Sequence, residues 1–458
     1  MPTPIFIGKL LGGAYSTQEM IKVWSEENFI NKVLKIEEAL AKAQAELNII
    51  PKEAAEEISE AVIRGLPVDK VTEVKGDARH LMVSIMYAFQ NEVGEKAEYF
   101  HLGPTTQDIL DTSLTLMIRE SLEIIINDLK RLLTVLIEHA KKYKYAVMPG
   151  RTHGQHAVPI TFGLKLSFWA DELADHIVRL REAYERISYL TLSGAVGTMA
   201  SFTYICDSDN NKVFKLHELT AKFLNLKPAY TDLHQRIDRF SEITNILSLI
   251  SSTIGKIGLE IRDLSREEVH EIFEPWTIGI HGSSTMPQKR NPEPSEWLEG
   301  LAKIVRALSL SMSGITMQHE RDATRMAPEF FTLPITFMIT HSQIKSLTKI
   351  LEGIQVFTDN MRRNLYISKG FMAAEPLMLE LAKRTGRKVT AHKLVYEVVQ
   401  KAINENKTFK EAVLESSEIM KYLNRNEIER ILNLESYIGT APEQIDIIEK
   451  KVLKILEA

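Results

Sequence analysis

Long runs of helical periodicity dominate the chain. Between residues 113 and 143 the apolar residues recur at steps of three and four, and neither glycine nor proline interrupts the run. This pattern predicts one helix of about 30 residues and roughly 45 Å. Helices far longer than the usual three turns are typical of helix bundles. The pattern predicts further long segments at about residues 159–189, 233–266, 293–320 and 329–360.

Segment length divides the chain into three regions. The helical segments before residue 112 are shorter, and they shorten again after residue 361, in a tail rich in Lys and Glu. We therefore expect an N-terminal helical domain at residues 1–112, a central long-helix bundle at 113–360 and a C-terminal helical domain at 361–458.

Some long segments are apolar around most of their circumference. Residues 243–261, ITNILSLISSTIGKIGLEI, are an example. A helix of this kind has to be buried on most of its sides, and a single layer of five helices cannot bury it. The pattern therefore predicts an all-α fold whose subunits associate.

Composition narrows the class of protein. The net charge of −5 argues against a general nucleic-acid binder, which usually has a basic surplus. The chain has a single cysteine, Cys206, which excludes an intrachain disulfide and a zinc site built from cysteines. We expect Cys206 to be a small buried apolar residue. The chain shows neither a signal-peptide pattern nor a run of about 18 apolar residues. We expect a soluble, cytoplasmic protein with neither membrane nor nucleic acid as a partner.

Four polar stretches interrupt the helical pattern. Each lies at the end of a long segment or between two: HLGPTTQDILDT (101–112), PGRTHGQHAVPITFG (149–163), GSSTMPQKRNPEPSE (282–296) and MQHERDATRMAPEFF (317–331). The third cannot be helical throughout, because Gly282, Pro287 and Pro292 disfavour helical backbone. Its hydroxyls, amides and two cations are suited to binding an anion.

Each stretch also has a purely structural interpretation. Thr105 and Thr106 could cap the helix that begins near Asp108, and Glu296 could favour a helix start. His153 could be an ordinary loop histidine. Ser283 and Ser284 could be loop residues without a role, and HERD at 319–322 could be a solvated charge cluster. Only the joint occurrence of the four stretches, in this order, argues for function.

Taken together, the four stretches resemble the fumarase/aspartase superfamily. Its hallmark loop is GSSxMPxKxNP, and all of the fixed letters are present here. DARH (77–80), GRTHGQHAVPITFGLK (150–165), SGAVGT (193–198) and HERD are most similar to the adenylosuccinate lyase family. The resemblance implies three helical domains, a twenty-helix core formed by four subunits, and active sites that combine residues of three subunits.

The resemblance also implies a reaction. These enzymes eliminate a group across a C–C bond beside a carboxylate, usually releasing fumarate. Loss of the carbon proton creates a doubly charged aci-carboxylate, which preorganised amides and cations stabilise. Ser283 would be the general base, ionised when its loop closes and excludes water. His153 would be the general acid that protonates the leaving nitrogen, and Glu296 would hold and polarise a histidine.

Further residues would bind the substrate by the same resemblance. The expected contacts are Tyr15, Arg79, His80, Thr105, Thr106, Thr152, Lys289, Asn291 and Arg321. The histidines lack metal-ligand spacing such as HExxH, so we predict neither a metal nor another cofactor.

The chain departs from the adenylosuccinate lyase family where that family holds a nucleotide phosphate. The expected phosphate and substrate ligands are replaced at Ala14, Leu233, Met326 or Ala327, and Phe330. Losing guanidinium groups weakens a phosphate site, because arginine binds phosphate in a two-pronged way. Arg325 is the candidate replacement.

These departures leave the substrate open. TTQD (105–108), His234 ahead of Asp238-Arg239, and EIFEP before the hallmark loop resemble 3-carboxymuconate cycloisomerases. Gln288-Lys289 is similar to argininosuccinate lyase. The leading hypothesis is a C–N lyase, and the alternative is a cycloisomerase or a lyase of another polycarboxylate without a nucleotide. The third hypothesis, a catalytically silent helical scaffold, conflicts with the intact Ser283 and His153.

Overall fold

Helices make up most of the chain in the computed structural model, which describes residues 8, 11–78, 80–276, 279, 282–314, 320 and 322–457. The helices are α1 Gly12–Tyr15, α2 Gln18–Val23, α3 Glu26–Glu46, α4 Lys52–Arg64, α5 Val68–Ala78, α6 Leu81–Val93, α7 Thr106–Lys142, α8 Phe162–Ile187, α9 Ala200–Ile205, α10 Asn210–Phe223, α11 Asp238–Leu264, α12 Glu293–Gly314, α13 Met326–Glu352, α14 Thr358–Leu365, α15 Ala374–Thr385, α16 Lys388–Asn404, α17 Phe409–Leu414, α18 Ser417–Met420, α19 Arg425–Ile431 and α20 Ala441–Glu457. The predicted all-α fold is confirmed. No helix in these described ranges is long and apolar enough to cross a membrane.

Short strand pairs accompany the helices. The strands are β1 Val147–Thr152, β2 Gln155–Thr161, β3 Tyr189–Leu190, β4 Lys227–Pro228, β5 Ile272–Phe273 and β6 Gln355–Val356. Strands β1 and β2 pair antiparallel, as do β5 and β6, whereas β3 and β4 pair parallel.

All five predicted long helices are present, but their first or last residues differ from the predicted ones. α7 is 37 residues long and begins seven residues before the predicted start at residue 113. The predicted start at residue 159 lies in β2, and α8 begins only at Phe162. α13 ends at Glu352 rather than near residue 360, and the residues that follow include strand β6, which pairs with β5.

Contacts between Cα atoms group the chain into two compact units. Unit 1 comprises residues 1–129, 176–252 and 300–345, and unit 2 comprises residues 130–175, 253–299 and 346–458. Helices α7, α8, α11, α12 and α13 contribute residues to both units. The division of the chain at residues 112 and 360 stays a prediction.

Unit 1 has a hydrophobic core around α3. Ser25 caps this helix by accepting a hydrogen bond from Asn28 N–H, and the helix buries one apolar face that includes Val33 and Leu40. α4 and α10 pack against α3, and α5 packs against α6. This packing supports the loop from residue 101 to residue 105 that leads into α7.

Unit 2 combines the β1–β2 hairpin with the C-terminal helices. α14 packs against β1, and α15, α16 and α17 surround a core that includes the fully buried Phe409. Capping boxes at Thr408 and Asn424 start α17 and α19. The short helices from α14 to α19 confirm the shortening expected after residue 361.

Candidate active site

The tip of the β1–β2 hairpin presents His153 to solvent. Thr152 pairs with Gln155, so the turn consists of His153 and Gly154 alone. Their φ angles are 55° and 73°, as a two-residue type I′ turn requires. Positive φ is uncommon for residues other than glycine, although histidine adopts it more often than most, and asparagine or glycine is usual at this position. The backbone therefore adopts an unfavourable conformation that projects an exposed imidazole, with the exposed Thr152 beside it.

An ion pair anchors the hairpin within unit 2. Arg151 Nη1 donates to Glu271 Oε2 at 2.9 Å, and Nη2 donates to Oε1 at 2.6 Å. Glu271 is fully buried and also accepts a hydrogen bond from Asn364 Nδ2 at 2.9 Å. This two-pronged geometry fixes the strand one residue before Thr152.

The 282–292 loop surrounds the Ser283 hydroxyl with backbone donors. Ser283 Oγ accepts from Met286 N–H, with an N–O distance of 3.1 Å, and from Thr285 N–H at 3.3 Å. Asn291 Nδ2 donates to Gly282 O at 2.7 Å and closes the base of the loop. A Cβ on Gly282 would lie 2.5 Å from Lys289 O, so only glycine fits there. Lys289 is exposed.

A buried carboxylate caps the helix that follows the loop. Glu274 accepts hydrogen bonds from Ser295 N–H, at 2.7 Å, and from the Ser295 hydroxyl. Burial raises the pKa of Glu274, while the Ser295 bonds act in the opposite direction. Glu296 lies one residue further along α12, and its side chain is exposed. The residue that caps this helix start is therefore Glu274, which the sequence analysis missed because it lies 21 residues before Ser295.

In unit 1 the loop that carries Thr105 and Thr106 is held at both ends. His101, with φ of 64°, donates its N–H to Glu37 Oε2 at 3.1 Å and contacts Glu37 Oε1 through Nδ1 at 2.6 Å. At the other end Thr105 N–H donates to Asp108 Oδ2 at 2.8 Å. Both threonine side chains are half-buried at the start of α7.

The remaining predicted contacts of unit 1 lie at helix ends. His80 is exposed and caps α6, with Nδ1 accepting from Val83 N–H at 3.5 Å. Tyr15 is half-buried at the end of α1. Ser342 Oγ binds the segment before Tyr15 by donating to Ala14 O at 3.0 Å. Arg79 and Arg321 lie outside the described residues.

Arg325 points into the protein, where it meets two carboxylates. Its side chain is 2% exposed, its Nη2 donates to Asp111 Oδ1, and its Nε lies 3.2 Å from Glu329 Oε1. Burial raises the pKa of Glu329 to about 8, although Arg325 acts against this rise. The guanidinium that could replace the missing phosphate ligands is thus already paired.

The structure distributes the predicted residues between the two units. Thr152, His153, Ser283, Lys289, Asn291 and Glu296 belong to unit 2. Tyr15, His80, Thr105 and Thr106 belong to unit 1. Sequence reasoning missed Asp108 and Asp111 as a pair of buried carboxylates. Their spacing of three residues at a helix start was a signal for one shared helix face.

Comparison with known proteins identifies the family. The lyase family matches residues 13–307, and the adenylosuccinate lyase C-terminus family matches residues 370–448. An adenylosuccinate lyase of Pyrococcus horikoshii is 41% identical over 97% of this chain and 96% of its own length. An N-acetyl-S-(2-succino)cysteine lyase of Dickeya dadantii is 36% identical over 95% of both chains. The crystal structure of the 3-carboxy-cis,cis-muconate lactonizing enzyme of Pseudomonas putida has a TM-score of 0.87 and 28% identity, covering 98% of this chain and 100% of that one.

These matches confirm the resemblance that the four polar stretches indicate. The relatives match nearly the whole chain, well beyond the hallmark loop. The chain belongs to the lyase family of the fumarase/aspartase superfamily and is a lyase most like adenylosuccinate lyases.

Proposed function

We propose that the enzyme eliminates an amine from a succinyl group and releases fumarate, with Ser283 as general base and His153 as general acid. Ser283 would take the proton from the carbon beside a carboxylate, and the electron pair would first delocalise into that carboxylate. The C–N bond then breaks as the C=C bond forms, and the leaving nitrogen receives a proton from His153.

One observation carries this proposal: the Ser283 hydroxyl oxygen accepts two backbone N–H groups of its own loop. Hydrogen bonds donated to an oxygen favour its anionic form, which a serine base requires. Serine hydroxyls in ordinary turns also accept such local bonds, so the activity of Ser283→Ala distinguishes a base from a turn residue. Lys289 and Asn291 would add positive charge and an amide near the developing aci-carboxylate.

The hairpin tip is suited to the general acid. Its strained turn exposes the His153 imidazole, and an imidazole so placed can donate a proton to a leaving group. Glu296, exposed at the start of α12, would orient a histidine. Tyr15, His80, Thr105, Thr106 and Thr152 would bind the carboxylates or the leaving group.

A substrate without a nucleotide is the second candidate, and the state of Arg325 favours it. This guanidinium is buried and donates to Asp111 and to the carbonyl of His234, so it is unsuited to gripping a phosphate. The apolar replacements offer a phosphate no polar group: Leu233 is buried, and the exposed Phe330 meets Phe29 edge to face at 5.8 Å. A succinylated thiol such as N-acetyl-S-(2-succino)cysteine, for which a relative is named, would then replace adenylosuccinate, and a C–S bond would break. 3-Carboxymuconate is the substrate of the cycloisomerase alternative.

We also propose a cytoplasmic homotetramer with composite active sites. Large apolar side chains are exposed on the long helices, which favours burial against other copies of the chain. They include Phe168 on α8, Leu249 on α11, Leu310 on α12 and Phe331 on α13. Sedimentation equilibrium would measure the subunit number, and a monomer at micromolar concentration would contradict the tetramer.

The test is fumarate release from purified protein, followed by ultraviolet absorbance. Adenylosuccinate and N-acetyl-S-(2-succino)cysteine are the trial substrates for fumarate release. 3-Carboxymuconate is followed by loss of its own absorbance, because its cycloisomerisation releases no fumarate. Ser283→Ala should abolish turnover of the active substrate. Ser284→Ala removes the neighbouring exposed hydroxyl and is the matched control. Turnover that persists in Ser283→Ala would exclude Ser283 as the base.

A further inference from the structure

His234 lies between two buried carboxylates in unit 1. Its Nε2 lies 2.9 Å from Asp108 Oδ1 and its Nδ1 lies 2.8 Å from Asp111 Oδ2, and none of the three side chains is exposed. An ionised carboxylate only accepts hydrogen bonds, so both ring nitrogens have to donate. The ring is therefore an imidazolium. Its two neighbours would repel each other without it.

Asp108 links this imidazolium to the backbone of two loops. Its carboxylate accepts from Thr105 N–H at 2.8 Å, Ser193 N–H at 2.7 Å and Gly194 N–H at 3.1 Å. The side chain that accepts a hydrogen bond from His234 thus also fixes the end of the 101–105 loop. A shift of Asp108 would move the backbone of Thr105.

The backbone of His234 is held from both sides. Its carbonyl accepts from Arg325 Nη1 at 2.6 Å, and its N–H donates to Asp232 Oδ1 at 3.0 Å. Arg325 also donates to Asp111, so the two cations offset the charges of Asp108 and Asp111. The ring therefore has one position in which all of these bonds form.

We propose that His234 is a positioning residue for substrate binding, which acts through Asp108 to fix the hydroxyls of Thr105 and Thr106 for a substrate carboxylate. The inference rests on the proposed function, in which these two hydroxyls contact the substrate. His234 itself need not touch the substrate. Its loss should therefore weaken substrate binding more than it slows the chemical step.

Two measurements on His234→Gln test this role. Hydrogen exchange of residues 101–106 reports the loop directly, and KM against kcat reports substrate binding. We expect faster exchange in this segment and a KM raised by about tenfold or more, with a smaller change in kcat. Equal exchange in variant and wild type would overturn the inference, whether or not the enzyme turns over any trial substrate. An enzyme inactive on all three substrates would contradict the proposed function, while the exchange comparison still decides the role of His234.

His217→Gln is the matched control. His217 is also a buried histidine of unit 1, but burial lowers its pKa to about 4 and no carboxylate among the described residues hydrogen-bonds to it. Its replacement should lower stability without changing loop exchange or KM. If His217→Gln also showed faster exchange of residues 101–106 and a raised KM, the effect would be one of general packing, and the inference would be overturned.

A second variant serves if His234→Gln does not fold. His234→Gln combined with Asp111→Asn removes one positive and one negative charge, and the glutamine amide can still donate to Asp108. This double variant should fold. If exchange can also be measured for His234→Gln, residues 101–106 should exchange more slowly in the double variant than in the single variant. Both variants lack the imidazolium. A variant that kept the wild-type KM and the wild-type exchange of residues 101–106 would contradict the proposal.

Discussion

Arg151 and Glu271 join the strand that carries His153 to the segment that leads into the Ser283 loop. Arg151 lies two residues before His153 in β1, and Glu271 immediately precedes β5. Glu271 N–H donates to Leu264 O at the end of α11, so the pair is tied to a long helix. The proposed acid and the proposed base thus stand on segments that share one buried ion pair.

Glu271→Gln should destabilise the protein and lower kcat. The change leaves the half-buried Arg151 without its charged partner, which should cost about 2 kcal/mol in the free energy of unfolding. Urea unfolding and steady-state kinetics would measure both effects. Glu260→Gln is the control, because Glu260 pairs with Lys165 at a partly exposed site and should contribute less than about 1 kcal/mol. Equal losses in the two variants would contradict a special role for Arg151–Glu271.

Thr285→Pro should slow the reaction with little effect on substrate binding. Proline lacks the N–H that Thr285 donates to Ser283 Oγ, and loss of one such donor commonly lowers kcat by about 10²–10³. Thr285→Val keeps the N–H and controls for the lost side chain. An unchanged kcat in Thr285→Pro would show that these loop amides do not support the base.

Local patterns predicted the helices, whereas contacts between segments had to come from the structure. The periodicity of α7 is visible within any two turns, so its existence followed from the sequence. The β1–β2 hairpin was not predicted, because strand pairing depends on two segments and the stretch contains Pro149 and Pro159. For the same reason nothing in the sequence paired Arg325 with Asp111, which lies 214 positions earlier.

His153→Asn separates the turn from the chemistry. Asparagine tolerates positive φ better than most residues, so the hairpin should keep its stability while losing its acid. We expect kcat to fall by about 10²–10⁴, with an unchanged thermal midpoint. His392→Asn, at an exposed site in α16, should leave both unchanged. A large fall in the midpoint for His153→Asn would instead assign His153 a structural role.

Glu329→Gln should remove one source of pH-dependent stability. Burial raises the pKa of Glu329 from its ordinary 4.5 to about 8, so the folded chain binds this proton more tightly than the unfolded chain. The resulting stabilisation is fully present below pH 4.5 and is lost as the pH rises to about 8. Glutamine keeps the shape of the neutral carboxyl and does not titrate.

The variant should therefore gain stability relative to wild type across this window. Urea unfolding at intervals from pH 5 to pH 9 should show a difference that grows by up to about 1.4 kcal/mol per pH unit and then levels off. The variant and the wild type share the other charged neighbours, which are Arg325, Asp111 and Arg239, and they also share His234. The contributions of these four residues to the pH dependence of stability therefore cancel in the difference. A difference that stays constant with pH would show that Glu329 is already ionised in the folded protein, held so by the adjacent Arg325 guanidinium.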